Sequence, residues 1–333
     1  MRIGLAGVGR IGAFHAETLA GLDEVTALVL ADADPGRARE TADRVGAEWV
    51  ESPDLLFGAG LDGLVVAAAT DAHAALILAG VDAGIPVFCE KPVAPDIAGT
   101  VAVLDKVSAA DTPVHIGFQR RFDAGYRAAR EAVAAGTLGF VHTIRAGTLD
   151  AAPPPAGYIP TSGGIFRDCS VHDFDVIRWV SGQEVREVYA LGANRGADFF
   201  AAAGDVDAAA ALLTLADDTL ALVSASRYNG RGYDVRLELL GSLDSIAVGL
   251  DDRLPLRSVE PGVTFPAGSP YPAFMERFLP AYRAELTAFT DVVAGRAGPG
   301  CTVKDALEAF YVAEACELSR RERRPVQVAE LRR

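Results

Sequence analysis

The chain has 333 residues, 50% of them hydrophobic and 23% charged, which is enough for two domains with separate cores and too apolar for a disordered chain. A formal net charge of −14 and a pI near 4.8 repel polyanions, so nucleic acid and anionic membrane surfaces are excluded as expected partners and small neutral molecules remain. The most apolar stretch, Ala208–Ala225, is broken by Asp217 and Asp218, so no membrane span is expected. A strand begins directly after Met1-Arg2, which leaves no room for a cleavable signal and makes the cytoplasm the expected location. Cys89, Cys169, Cys301 and Cys316 lie at wide, irregular spacings without ligand partners, so reduced thiols are expected rather than a disulfide frame or a metal site.

From residue 1 to 120 strand-like and helix-like runs alternate. Strands are predicted at Arg2–Gly7, Val25–Asp32, Leu64–Thr70, Pro86–Glu90 and Val114–Gln119, with helices at Gly12–Ala20, Pro35–Val45, His73–Ala83 and Asp96–Ala109 between them. That alternation with short turns predicts a doubly wound parallel sheet of the Rossmann type. Beyond residue 121 a helix at Asp123–Ala135 is followed by predicted strands at Val141–Leu149, Val185–Gly192, Ala208–Leu215, Leu220–Arg227, Asp234–Leu240 and Ser245–Val248. Most are joined by short turns, so residues 121–333 are expected to form an α+β domain around a large, open, mostly antiparallel sheet, its last helices able to pack back on the first domain. A Pro/Gly/Ser-rich loop, residues 151–164, leads into a helix carrying Asp168 and His172. The final helix is marked by Thr302 and Asp305 in capping-box positions.

Two signals carry the chemistry. Gly7-Val8-Gly9-Arg10-Ile11-Gly12 follows an apolar strand and opens a helix, and Asp32 closes the next strand. Such a turn brings bare backbone N–H groups and a positive helix end against a pyrophosphate, while the acidic residue can hold a ribose diol and repel a 2′-phosphate. NAD is therefore the expected cofactor, although Arg37 and Arg39 lie near enough to bear on the choice. The second signal is Asp168 and His172, four residues apart and thus on one face of an α-helix, together with Lys91 at a strand end. Lys91, Lys106 and Lys304 are the only lysines among 31 cationic residues; of the two cationic side chains only lysine adjusts its protonation near neutral pH. The alternatives are a surface ion pair of Lys91 with Glu90 and a helix-stabilising pair of Asp168 with His172. Asp71, His73 and His15 stay outside the catalytic set, as helix-start or solvent-facing residues or as lining for the cofactor.

Together with Glu90-Lys91-Pro92, the segment Gly117-Phe118-Gln119-Arg120-Arg121-Phe122-Asp123 and the run Ser162-Gly163-Gly164 through Asp168, His172, Asp173 and Asp175, the chain resembles the Gfo/Idh/MocA oxidoreductases over its whole length, and within them the inositol 2-dehydrogenases. The resemblance implies catalytic roles for Lys91, Asp168 and His172. It implies cofactor contacts from Gly7, Gly9, Arg10, Ile11, Gly12, Asp32, Thr70, Glu90 and Lys91, and substrate contacts from Arg120, Asp150 and Tyr233 besides the catalytic set. The expected activity is NAD-dependent oxidation of a cyclitol or sugar ring hydroxyl to a ketone; the alternatives are another sugar or amino-cyclitol as substrate, or a non-catalytic NAD-binding regulator. Relatives imply a homo-oligomer, a tetramer, and the bare apolar face expected of the second sheet gives it a place to form.

Overall fold

The computed structural model describes residues Met1–Arg332. The chain folds into two compact units, Met1–Gln119 with Pro280–Leu307, and Arg120–Leu279 with Glu308 onward.

In the first unit six parallel strands, β1 (Arg2–Ala6), β2 (Ala27–Ala31), β3 (Glu48–Trp49), β4 (Gly63–Val66), β5 (Val87–Glu90) and β6 (Val114–Gly117), stand in the order β3-β2-β1-β4-β5-β6. The order reverses between β1 and β4, the crevice where doubly wound sheets bind ligands. β1, β2 and β4 are almost wholly buried runs rather than alternating ones, because helices cover both faces. Connections run through α1 (Arg10–Ala20), α2 (Pro35–Val45), α3 (Thr70–Asp82) and α4 (Ile97–Ser108). The core joins Ile3, Leu5, Leu30, Val65 and Phe88 to Leu286, Phe289 and Val292 from later in the chain. Two local readings change: Thr70 opens α3 instead of ending a strand, and β3, only two residues long, carried no sequence signal.

The second unit holds α5 (Ala124–Ala134), β7 (Val141–Leu149), α6 (Val171–Ser181), β8 (Val185–Ala193), the single turn α7 (Phe199–Ala202), β9 (Ala208–Leu215), β10 (Leu220–Ser226), β11 (Asp234–Gly241) and β12 (Ser245–Val248). Further along the chain come α8 (Phe274–Val293), which the sequence reading did not contain and whose residues from Pro280 belong to the first unit, α9 (Val303–Glu322), which starts at the reciprocal Thr302–Asp305 capping box and belongs to the second unit from Glu308, and the edge strand β13 (Val326–Gln327). The seven-stranded sheet runs β12-β11-β7-β10-β9-β8-β13. It is antiparallel except for the central pair, β7 with β10, which run parallel with Leu149 opposite Ser226. β9 and β10 alternate buried and exposed residues along their length, as expected when one face is covered and the other is open.

The segment before α6 departs from the sequence reading. Residues Phe166–Ser170 form a π-helical turn, wider than an α-helix and frequent at functional sites. It follows the left-handed glycines Gly163 and Gly164, with the Asp168 N–H donated to the Gly164 carbonyl at 2.9 Å. The four-residue spacing of Asp168 and His172 therefore does not describe one α-helical face: Asp168 lies in the π turn and His172 in α6.

Candidate active site

The cofactor end of the first unit is built from backbone. Gly7 has φ of +91°, and a Cβ there would come within 2.4 Å of the Ala68 backbone; a Cβ on Gly12 would sit 1.9 Å from the Gly7 carbonyl oxygen. Only glycine permits that turn and that approach of α1 to the loop. At Gly9, by contrast, a Cβ would meet nothing within 4 Å, so bare backbone faces open space where a pyrophosphate would lie. Gly9 caps α1 with no side-chain acceptor on the first N–H groups, which leaves them for an anion. An open groove along this helix end and α2 is lined by Gly9, Arg10, Arg37 and Arg44 among others.

Asp32 is buried and braces the loop: its Oδ2 accepts the Val8 N–H at 2.8 Å and its Oδ1 the Asp34 N–H at 2.9 Å. Arg37 approaches Oδ1 at 3.7 Å. Each carboxylate oxygen keeps a second lone pair for a ribose diol. These features fit a dinucleotide.

Glu90 closes β5 and Lys91 follows it. Glu90 Oε1 meets Nε2 of His15 at 2.6 Å, and the His15 ring is buried against Phe14, Phe88 and Tyr282. His15 is therefore not solvent-facing. Neither is His73, which is 2% exposed and sets its two ring nitrogens on the carbonyls of Ala68, at 3.0 Å, and Pro92, at 2.7 Å. His73 thus ties the turn after β4 to the turn that carries Lys91.

In the second unit the site forms at one edge of the sheet, and the topology explains why. Because β7 and β10 are parallel, their C-terminal ends share that edge, and Asp150 and Arg227 follow the register partners Leu149 and Ser226. β11 is antiparallel to β7 and begins there, placing Tyr233 just before its first residue. Arg227 is 2% exposed. Its Nη2 donates to Asp168 Oδ2 at 2.8 Å, and its Nη1 donates to Asp150 Oδ2 at 3.0 Å and to Cys169 Sγ at 2.8 Å. Tyr158, from the Pro-rich loop, donates its hydroxyl to Asp168 Oδ1 at 2.9 Å. Burial pushes the Asp150 carboxyl pKa up while Arg227 pulls it back, and burial together with the charge on Asp168 pushes the Tyr158 phenol well up. The buried Tyr233 phenol is also pushed well up, by burial first, against the opposing pull of Arg120.

Arg120, expected to approach substrate, is 1% exposed. Its Nη1 donates to Asp173 Oδ1 at 2.6 Å and its Nη2 to Thr148 Oγ1 at 2.8 Å, while the Thr148 hydroxyl donates to Asp173 Oδ2 at 2.7 Å. The guanidinium also lies over Phe278. This closed ring pairs the two buried charges: burial pulls the Arg120 pKa down, and the charge of Asp173 more than reverses it. Arg121 forms a second buried pair with Asp175. The structure thus gathers Asp150, Asp168 and Tyr233 at the sheet edge. Arg227 and Tyr158 are the members the sequence reading missed; the only signal for Arg227 was an arginine closing a strand, and Tyr158 sat in a loop without periodicity.

Residues 1–118 match the oxidoreductase family with an NAD-binding Rossmann fold, and residues 126–247 match the GFO/IDH/MocA C-terminal domain. The chain belongs to this family and is an NAD-dependent oxidoreductase acting on CH–OH groups. It is 35% identical to the myo-inositol 2-dehydrogenase of Thermotoga maritima, covering 99% of each chain, and 38% identical to the myo-inositol dehydrogenase Hyg17 of Streptomyces leeuwenhoekii, covering 96% of this chain and 97% of that one. Among solved structures it is similar to a myo-inositol dehydrogenase from Corynebacterium glutamicum (35% identity, TM-score 0.90, 98% of both chains). It is also similar to the scyllo-inositol dehydrogenase from Lactobacillus casei with bound NAD(H) and scyllo-inositol (28% identity, TM-score 0.87, 99% of both chains). Among the described residues no helix is long and apolar enough to cross a membrane, and no cluster of metal-ligating side chains occurs.

Proposed function

We propose that the chain is a myo-inositol 2-dehydrogenase of the cytoplasm, oxidising one ring hydroxyl of the cyclitol to a ketone. The observation that carries this reading is the pair of carboxylates, Asp150 and Asp168, set beside each other on one buried guanidinium at a sheet edge with Tyr233 close by. Adjacent anionic acceptors suit the hydroxyl donors of a neutral polyol and not an anionic substrate. Nearly full-length similarity to inositol dehydrogenases supports it.

NAD, when bound, supplies the acceptor for the carbinol hydride. The Gly7–Gly12 loop, with Arg10 and Ile11 at the start of α1, would hold the pyrophosphate, Asp32 would hold the ribose diol, and Thr70 and Glu90 would add further contacts to the cofactor. His172 takes the proton of the reacting hydroxyl, Asp168 stabilises the imidazolium that results, and Lys91 donates a hydrogen bond to the oxygen as alkoxide character develops. Asp150 and Tyr233 bind other hydroxyls, with Arg120 fixing the surrounding wall through Asp173.

The chain acts as a homo-oligomer, a tetramer. On the open sheet face Tyr189, Leu212 and Leu222 stand opposite one another across β8, β9 and β10, flanked by Leu191 and Leu220, and all five are at least 37% exposed. A contiguous apolar row of that kind is normally covered by a partner.

One preparation tests both statements. Mixed with NAD and a panel of inositols and pyranoses, it should form NADH fastest with myo-inositol, and it should scatter light as a tetramer. Faster turnover of a pyranose or an amino-cyclitol moves the substrate, no turnover with any of them supports a silent NAD binder, and a monomer-sized species contradicts the assembly.

A further inference from the structure

At the sheet edge Arg227 touches three side chains, Asp150, Asp168 and Cys169. It is buried, and it closes the strand parallel to the one that ends at Asp150. Two carboxylates this near each other repel, and in a buried setting one of them is driven to take up a proton unless a cation lies between them. Lysine in that place could not do the same work, because a single ammonium has no planar fork with which to reach two carboxylates from two directions.

We propose that Arg227 is the positioning residue of the substrate site: it holds Asp150 and Asp168 ionised together and aims them as a paired acceptor for neighbouring hydroxyls of the ring. The inference rests on the dehydrogenase reading above and extends it to the class of substrate, one presenting at least two adjacent hydroxyls. Arg227 from β10, Tyr158 from the Pro-rich loop, Cys169 from the π turn and Tyr233 before β11 face the pair, and on the reading above His172 from α6 faces Asp168 as well. Of these Arg227 carries its positive charge at every working pH, whereas His172 gains one only on taking up a proton. Burial raises the Asp150 pKa, and the charge on Asp168 raises it further, while Arg227 opposes both. With the guanidinium removed, the hydrogen bonds from the Cys169 thiol and the Tyr158 phenol do not replace a full positive charge.

The sign of the effect follows. Loss of the cation raises the carboxyl pKa values, so a reaction that needs both ionised fails at a higher pH as the solution is acidified. In Arg227→Gln the acid limb of kcat/KM for myo-inositol should move up by at least about one pH unit and KM should rise by about tenfold, with NAD affinity kept. Arg227→Lys should return the limb towards its original position while KM stays raised, since charge is restored and the fork is not. An unmoved limb and KM in Arg227→Gln, or an Arg227→Lys enzyme indistinguishable from the parent in KM, overturns the proposal. If Arg227→Gln does not fold, Arg227→Lys decides alone: a held limb with raised KM supports the proposal, and any other pattern contradicts it. Carboxyl titration of Asp150 and Asp168 by NMR in labelled parent and Arg227→Gln gives a readout without turnover. A chain that oxidises no polyol yet shows carboxyl midpoints moved by the substitution sinks the dehydrogenase reading and spares the role of Arg227 on the pair; unmoved midpoints in an active enzyme do the reverse.

Discussion

The two units build their sites by opposite means. In the first, the chemistry is presented by backbone: a left-handed Gly7, a Gly12 that lets α1 close on the loop, and a helix end whose N–H groups carry no side-chain cap. In the second, it is presented by side chains that come from residues 150, 158, 168, 227 and 233 and meet only because two distant strands run parallel. A backbone site depends on a short contiguous segment and can be read from it. A side-chain site depends on register between segments far apart in sequence, and it changes specificity by single substitutions without disturbing the fold.

That difference yields graded tests. The largest effect is expected where a buried charge in the second unit loses its partner. Asp173→Ala leaves the buried Arg120 guanidinium without its counter-charge, with Thr148 and the Phe278 ring as remaining contacts, and it should cost about 3–5 kcal/mol of stability, measured as a fall in the denaturant midpoint at constant slope. A loss below about 1 kcal/mol would mean that the Arg120 ring is not a structural keystone and would return Arg120 to direct substrate contact. A smaller effect is expected in the first unit. Asp32→Ser removes a charged acceptor that also braces Val8 and Asp34, so NAD binding should weaken by roughly 1–3 kcal/mol and the gap to NADP should narrow, as titration of both cofactors would show. Unchanged preference would pass the reading of the 2′ position to Arg37, which stands 3.7 Å from the Asp32 carboxylate.

The legibility of the molecule follows the same division. The strand-turn-helix around Gly7–Gly12, the alternation to residue 120 and the resemblance of the motifs to the family were visible because each is local, and the six-stranded parallel sheet carries them. The second sheet was visible as strand-like segments joined by short turns, which argued for a mostly antiparallel sheet, yet the place of its parallel pair was not, since β7 and β10 are separated by two other strands in sequence. The π turn at Asp168 left no trace in the spacing, because a single widened turn shifts a helical face without altering composition. α8 escaped because Pro280 lies inside it, and proline normally argues for a helix end. For His15 and His73 the sequence leaves cofactor-lining, helix-start and solvent-facing roles open; their burial comes from packing, from the Glu90 carboxylate on His15 and from the carbonyls of Ala68 and Pro92 on His73.

The central claim is that the first unit binds the cofactor through its backbone loop while Lys91 serves the chemistry. Arginine keeps the charge of Lys91 but cannot place a single compact donor on one oxygen. Calorimetric NAD binding and steady-state turnover of Lys91→Arg, measured on one preparation, test this most directly. The account predicts NAD affinity within about threefold of the parent and turnover lowered by at least about a hundredfold. Near-parental turnover, or NAD affinity lost in proportion to turnover, would contradict it and make Lys91 a structural residue of the cofactor loop.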